Sequence, residues 1–367
     1  MTQEDILYTL ALTKIDGIGD ITAKKLINHL GNAKNVLESP KKQLQKIDGI
    51  GEILIEKIKK ASTLKEAEQE LKFIVSEQLK CFYYQNHDYP ELLKQCIDAP
   101  VLLFGSGLLP FQDRKIISIV GTRNMTPYGR DMIRQLLEDI APLDPLIVSG
   151  FAYGVDITAH STALDLGLDT IGVLAHGLNQ IYPKSHKKYI SKVEAQGGFL
   201  TEFWSTSNPD KENFVKRNRI VAGMSHTTVV VESAEKGGSI ITAYLANDYN
   251  REVFAVPGRI TDKYSAGCLQ LIKTQRALPI TQAADIIYHL NWDLKPKTKA
   301  AIQPQLFLDL DPDEEKIINL LQSKGKELMD EIAITCDLPI FKVSSILLDL
   351  ELKGLIRPLP GKWFEVV

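Results

Sequence analysis

Lys216, Arg217 and Arg219 stand beside Phe214 in the stretch FVKRNRIVAGMSHTTVVVESAEKGGS, residues 214–239. Cations next to an exposed aromatic suit a single nucleic-acid strand, because the charges meet phosphates and a flat ring stacks a base. The alternative is an ordinary helix whose charged face is solvated. Other cation-bearing, glycine-rich turns in the same region favour the first. Gly121-Thr122-Arg123 follows one strand pattern, and SGFAYGVDITAH, with Gly150, Gly154, Asp156 and His160, follows another. LAHGLNQIYPKSHKKY supplies Gly177, Tyr182, Lys184, Lys187 and Lys188. Glu235, Gly237, Gly238 and Ser239 open a helix after the strand ending at Glu232.

None of these turns is GxGxxG or GxxxxGK[ST], so no nucleotide cofactor is expected. Asp156 and His160, one helical turn apart, form an acid–base pair on paper. Such pairs more often cap a helix and satisfy a buried turn. Neither Ser149 nor Ser239 has an evident base partner, so no catalytic residue and no enzymatic activity is expected. The four cysteines (Cys81, Cys96, Cys268 and Cys336) show no CxxC spacing, which argues against a disulfide scaffold or a metal site and for a reducing cytoplasm.

Five apolar, β-branched runs must position these turns: 115–121, 146–150, 169–175, 226–232 and 252–258. Helical patterns near 127–141, 154–167, 185–196, 213–223 and 238–250 separate them. That alternation predicts a doubly wound, mostly parallel sheet, whose sites form where strands turn into helices. A net charge of -3 over 367 residues makes any nucleic-acid site a local patch. Residues 81–295 hold 21 Lys+Arg against 22 Asp+Glu, yet their cations cluster at 184–192 and 211–219. The opening MTQEDILYTLAL does not read as a signal peptide, and no apolar run is long enough to span a membrane.

Near the N-terminus, KIDGIGDITAKKLINHL (14–30) returns as KIDGIGEILIEKIKKA (46–61), a period of 32. Each copy resembles a helix-hairpin-helix. Gly17, Gly19, Gly49 and Gly51 let backbone amides face outward to hold a phosphate, with Lys24 close by in the first copy. The alternative is a compact helical scaffold that binds nothing. Residues 294–312 read as a linker. The tail then reads as helices at 313–324, 327–336 and 339–353, followed by a hairpin around Pro360-Gly361: a winged helix. Its second turn helix offers Lys342 against Asp349 and Glu351. A groove reader wants Arg, Asn or Gln there, so a protein contact or dimer support is expected.

The series GTRNMTPYG, SGFAYGVDITAH, GVLAHGLNQIYP, GGFLTEF, FVKRNRIVAGMS, ESAEKGGSIITA and VPGRITDKYSAGCLQLI closely resembles the DprA family, also called Smf. The resemblance implies four regions. They are a helical sterile-alpha-motif-like domain over 1–75, an extended Rossmann fold over 76–293, the linker over 294–312, and a winged helix over 313–367. It implies a cytoplasmic homodimer, joined through the Rossmann domain, that binds and protects single-stranded DNA. It also implies loading of RecA recombinase with displacement of single-strand-binding protein. The implied DNA pocket uses Arg123 of the Gly121 turn, Lys184 with Lys187 as a competitor, Lys211 with Phe214, and Arg217 and Arg219, one of which instead braces the turn. Gly150, Gly238 and Ser239 form its walls. Two alternatives stay open at this stage. One is a nucleotide phosphoribohydrolase, although EKGGSIITA lacks that family's proline and Gly-Thr. The other is a DNA-bridging regulator acting through the winged helix.

Overall fold

The computed structural model describes residues 1–292, 310–353, 355–359 and 361–366. Most of the expected linker, and Pro360 of the expected hairpin turn, lie outside the described residues. The chain divides into two compact units, Met1–Lys295 and Pro296–Val367.

The first unit opens with six helices: α1 (Gln3–Thr13), α2 (Asp20–Leu30), α3 (Ala33–Glu38), α4 (Lys41–Leu44), α5 (Glu52–Lys60) and α6 (Leu64–Ser76). The two Gly-Ile-Gly turns precede α2 and α5, and Gly17 and Gly49 take the positive φ that their tight turns require. The repeats exchange equivalent ion pairs, Lys57 with Asp16 at 2.6 Å and Lys25 with Asp48 at 3.7 Å. These pairs are largely exposed, so they report a pseudo-symmetric packing more than they stabilise it.

A nine-stranded sheet follows: β1 (Lys80–Tyr83), β2 (Leu102–Gly107), β3 (Ile116–Val120), β4 (Leu146–Ser149), β5 (Thr170–Val173), β6 (Gly197–Thr201), β7 (Thr227–Val230), β8 (Glu252–Ala255) and β9 (Leu278–Pro279). The order is β1-β2-β6-β5-β4-β3-β7-β8-β9. From β6 to β9 every pairing is parallel, while β1 and β2 extend the sheet antiparallel beyond β6. The five expected strands are β3, β4, β5, β7 and β8; β1, β2, β6 and β9 were not anticipated. Helices α7 (Glu91–Lys94), α8 (Pro127–Ile140), α9 (Val155–Asp165), α10 (Ile190–Ala195), α11 (Lys211–Gly223), α12 (Gly238–Asp248), α13 (Ala266–Lys273) and α14 (Ala283–His289) complete the unit. β3 shows why the runs read as doubly buried. Ile117 and Ile119 join one core cluster, and Ile116 and Val120 join the cluster on the other face. In chain order the architecture is a helical domain, an extended Rossmann-like sheet and a winged helix.

Because β4 and β7 lie on either side of β3, the winding reverses at β3. Two crossovers leave that point in opposite directions and open a crevice at the carboxyl ends of the strands. The second unit is the winged helix: α15 (Pro312–Lys324), β10 (Lys326–Leu328), α16 (Met329–Cys336), α17 (Ile340–Leu352), β11 (Ile356–Leu359) and β12 (Trp363–Val366), with strand order β10-β12-β11.

Candidate nucleic-acid interface

Three loops at the reversal point are stitched together by backbone. After β3, Thr122 N donates to Glu232 O at 2.7 Å, and the Glu232 carboxylate accepts from Thr126 N at 2.8 Å and Thr126 Oγ1 at 2.5 Å. Thr126 Oγ1 in turn accepts from Gly129 N and caps α8. After β4, Val155 N donates to Thr122 O, and a Cβ on Gly154 would fall 2.3 Å from that same oxygen. Gly154 also has a φ of 75°, so two independent constraints demand glycine there. The rigid frame leaves Arg123 exposed at the rim.

The crevice has a volume of about 560 Å³. Gly121, Arg123, Gly150, Lys211, Phe214, Gly238 and Ser239 all line it, together with Arg217. The Arg123 guanidinium lies 5.2 Å from the Phe214 ring centroid, a cation–π contact. Tyr182 also meets the Phe214 ring, edge-on at 5.8 Å. Lys211 is exposed at the first turn of α11. α12 begins in the crevice with no side chain capping its first turn, so its free amides and dipole favour an anion. Ser239 is buried, and its hydroxyl donates to Ser233 Oγ at 2.8 Å, a structural role within the wall.

Lys184 and Lys187 line a neighbouring hollow of about 490 Å³ rather than the crevice itself. Both are exposed, two and five residues after Tyr182, whose ring contacts Phe214 of the crevice. Sequence reasoning named Tyr182 without giving it a role. It also missed Asn124 and Asn218 as crevice residues and Glu232 as the clasp between the loops. The Asn within the Arg-Asn-Arg triplet was the available signal for Asn218.

Of the triplet's arginines, one was expected to brace the turn and the other to meet the strand; in the structure neither side chain is free. Arg217 is only 4% exposed; its Nη1 donates to Gly150 O at 2.6 Å and to Val173 O. A Cβ on Gly150 would come 2.4 Å from this guanidinium, so the glycine makes room for it. Burial pushes the Arg217 pKa down to about 10, with Asp156 nearby opposing the shift. Arg219 points away, donating to Asp98 O and pairing with Asp20 and the buried Glu202. Lys216 pairs with Glu202 as well. Of the cations expected to line the pocket, Arg123, Lys211, Lys184 and Lys187 are the ones exposed and without an acidic partner among the described residues.

The helix after the first Gly-Ile-Gly turn packs against the sheet region. Asp20 accepts from Val101 N at 3.0 Å, and Lys24 is half-buried over the Tyr84 ring, near Ile97 O. Asp20 and Lys24 thus serve the contact between the helices and the sheet, while Gly17, Gly19, Gly49 and Gly51 are all exposed. None of these residues lines the crevice.

Asp156 and His160 are buried and do not bond to each other. Asp156 accepts from Ala152 N at 3.3 Å, and burial raises its pKa. His160 Nδ1 is 2.7 Å from Thr170 Oγ1, and burial pushes its pKa down to about 3, with His186 and Arg217 adding to the effect. The unfolded chain takes up this proton near pH 6.5 and the folded one does not, so stability falls as pH drops between about 6.5 and about 3. His160 alone is expected to remove about 2–3 kcal/mol by pH 4.5. Urea unfolding across that range checks it, with His160→Asn, which keeps a partner for Thr170, showing a flatter pH profile.

None of the helices among the described residues is long and apolar enough to cross a membrane. The family description "DNA recombination-mediator protein A" matches residues 80–291, and "DprA winged helix domain" matches residues 299–362. The chain is 30% identical to Protein Smf of Synechocystis, over the full length of both. Among solved structures it is similar to DNA processing protein A of Streptococcus pneumoniae, with TM-score 0.66 and 28% identity over 78% of this chain and 98% of that one. It is also similar to DNA processing protein A of Helicobacter pylori, with TM-score 0.53 and 29% identity over 58% of this chain and 96% of that one. The latter structure is described as giving insight into a single-stranded DNA binding mode.

Proposed function

Because this chain belongs to the DNA recombination-mediator protein A family (DprA, also called Smf), whose members process DNA, we propose that its crevice binds single-stranded DNA without regard to sequence. The observation that carries this is the Arg123–Phe214 stack at the mouth of a crevice, beside Lys211 and the uncapped start of α12. A base stacks on Phe214 in place of, or against, the Arg123 plane. Phosphates settle on Arg123, Lys211, Lys184 and Lys187 and on the α12 amides. Arg217 and Arg219 act on the strand only by holding the floor and the helix that present these groups. Stacking and phosphate contacts tolerate any sequence, which suits a protein that must accept arbitrary strands.

In this proposal residues 76–293 form the strand-binding domain of a cytoplasmic homodimer joined through that domain. The bound strand is handed to RecA as single-strand-binding protein leaves. The protein works by presentation rather than by chemistry. The test is RecA ATPase on a strand pre-coated with single-strand-binding protein. Adding the chain is expected to abolish the lag. An unchanged lag, with strand binding intact, would remove the loading step and keep the binding one.

A further inference from the structure

The winged helix carries an apolar surface that its own core does not use. α17 buries Val343, Ile346, Leu347 and Leu350 against the rest of its unit. Phe341 at 77%, Leu348 at 57% and Leu352 at 79% are nevertheless exposed. At 100° per residue, Phe341, Ser345, Leu348 and Leu352 fall within one narrow arc, opposite the buried face. Their spacing of four, three and four is that of a coiled-coil seam. Solvent is a poor neighbour for such a stripe, and duplex DNA is no better. Residues 310–366 hold seven Lys+Arg against eleven Asp+Glu, so the unit repels phosphate.

We propose that α17 pairs antiparallel with α17 of a second copy of this chain. The charges beside the stripe select that occupant. Lys342 and Asp349 lie on the same flank of the seam, one heptad apart. A two-fold axis between antiparallel helices brings like flanks together, with Phe341 opposite Leu352 and Ser345 opposite Leu348 of the other copy. Lys342 of each copy then reaches Asp349 of the other, giving two reciprocal ion pairs. The other flank places Ser344 against Glu351, which is neutral. Parallel pairing forms no Lys342–Asp349 contact. Lys342 is half-exposed and now rests on Asp313 at 2.6 Å, so it has reach to spare. The stripe covers about three helical turns, which makes the contact weak and concentration-dependent. It is independent of strand binding in the crevice.

Sedimentation of the full chain, from micromolar to submillimolar concentration, tests the pairing. Wild type is expected to show an association step whose dissociation constant rises about tenfold or more in Leu348→Glu and in Asp349→Lys. Lys342→Glu combined with Asp349→Lys restores the step. Because the step is defined by its dependence on Leu348, self-association elsewhere in the chain does not enter. A mixture of Ser345→Cys chains and Leu348→Cys chains is expected to give mixed disulfide dimers in excess over Ser345→Cys alone. Both positions are exposed, so this arm decides even where a charged variant unfolds. Identical sedimentation of Leu348→Glu and wild type overturns the proposal, as does a double variant that fails to recover or an absence of the mixed disulfide.

Discussion

Arg217→Met is expected to lower the unfolding free energy by about 3–5 kcal/mol, the range for removing one member of a buried charged network. The Arg217 guanidinium is the floor of the crevice, holding Gly150 O and Val173 O and standing by the buried Asp156. Methionine fills similar volume but leaves two buried carbonyls without donors and Asp156 without its main compensating charge. Urea unfolding followed by circular dichroism measures the loss. Asp156→Asn in the same chain should recover part of it, because the two residues share one environment and their effects do not add. A loss below about 1 kcal/mol would mean that Arg217 is not the brace described and is available to ligand.

Phe214→Ala is expected to weaken binding of a single strand by roughly 5- to 150-fold, the equivalent of about 1–3 kcal/mol for one lost stacked base. Phe214→Trp should keep or improve affinity, because any flat ring serves. The same substitution leaves the fold untouched, since Phe214 is only partly buried and belongs to no core cluster. Titrating wild type, Phe214→Ala and Phe214→Trp against oligo-dT and oligo-dA separates stacking from charge. If alanine matches wild type on both, the ring has no part in recognition, and its contacts with Arg123 and Tyr182 are merely local packing.

Much of this arrangement was legible in the sequence. Five of the seven parallel strands announced themselves as apolar, β-branched runs, and the turns between them marked the carboxyl edge. What was not legible has physical causes. β6 opens on Gly197 and Gly198, residues that weaken a strand in isolation. Here a Cβ at Gly197 would meet Thr170 O at 1.9 Å, so only a residue without one lets β5 and β6 approach. That requirement appears only once the neighbouring strand is in place. Likewise, LLFGSG in β2 pairs with β6 nearly a hundred residues later, and no local pattern encodes it.

The Arg-Asn-Arg triplet was the harder case. A run of cations on a helix looks like a solvated face, and Arg217 and Arg219 look like the best phosphate ligands in the chain. Their burial depends on partners far away in sequence: Gly150 and Val173 for one, Asp20, Asp98 and Glu202 for the other. The chemistry of the triplet was recognisable, but the direction of each side chain was not. The N-terminal repeat teaches the same lesson, because the helix after its first glycine turn packs against the sheet region through Asp20 and Lys24.

The most direct test is fluorescence anisotropy with labelled poly-dT and a matched duplex, on wild type and Arg123→Glu, over a range of salt. A base stacked on Phe214 predicts a strong preference for the single strand, and four engaged cations predict a slope of log affinity against log salt of about −3. Arg123→Glu, on the exposed rim, should fold as wild type, lose affinity by about tenfold or more, and show a slope shallower by about 0.7. Equal binding by wild type and Arg123→Glu, or a preference for duplex, would place the nucleic-acid site outside the crevice and contradict the account.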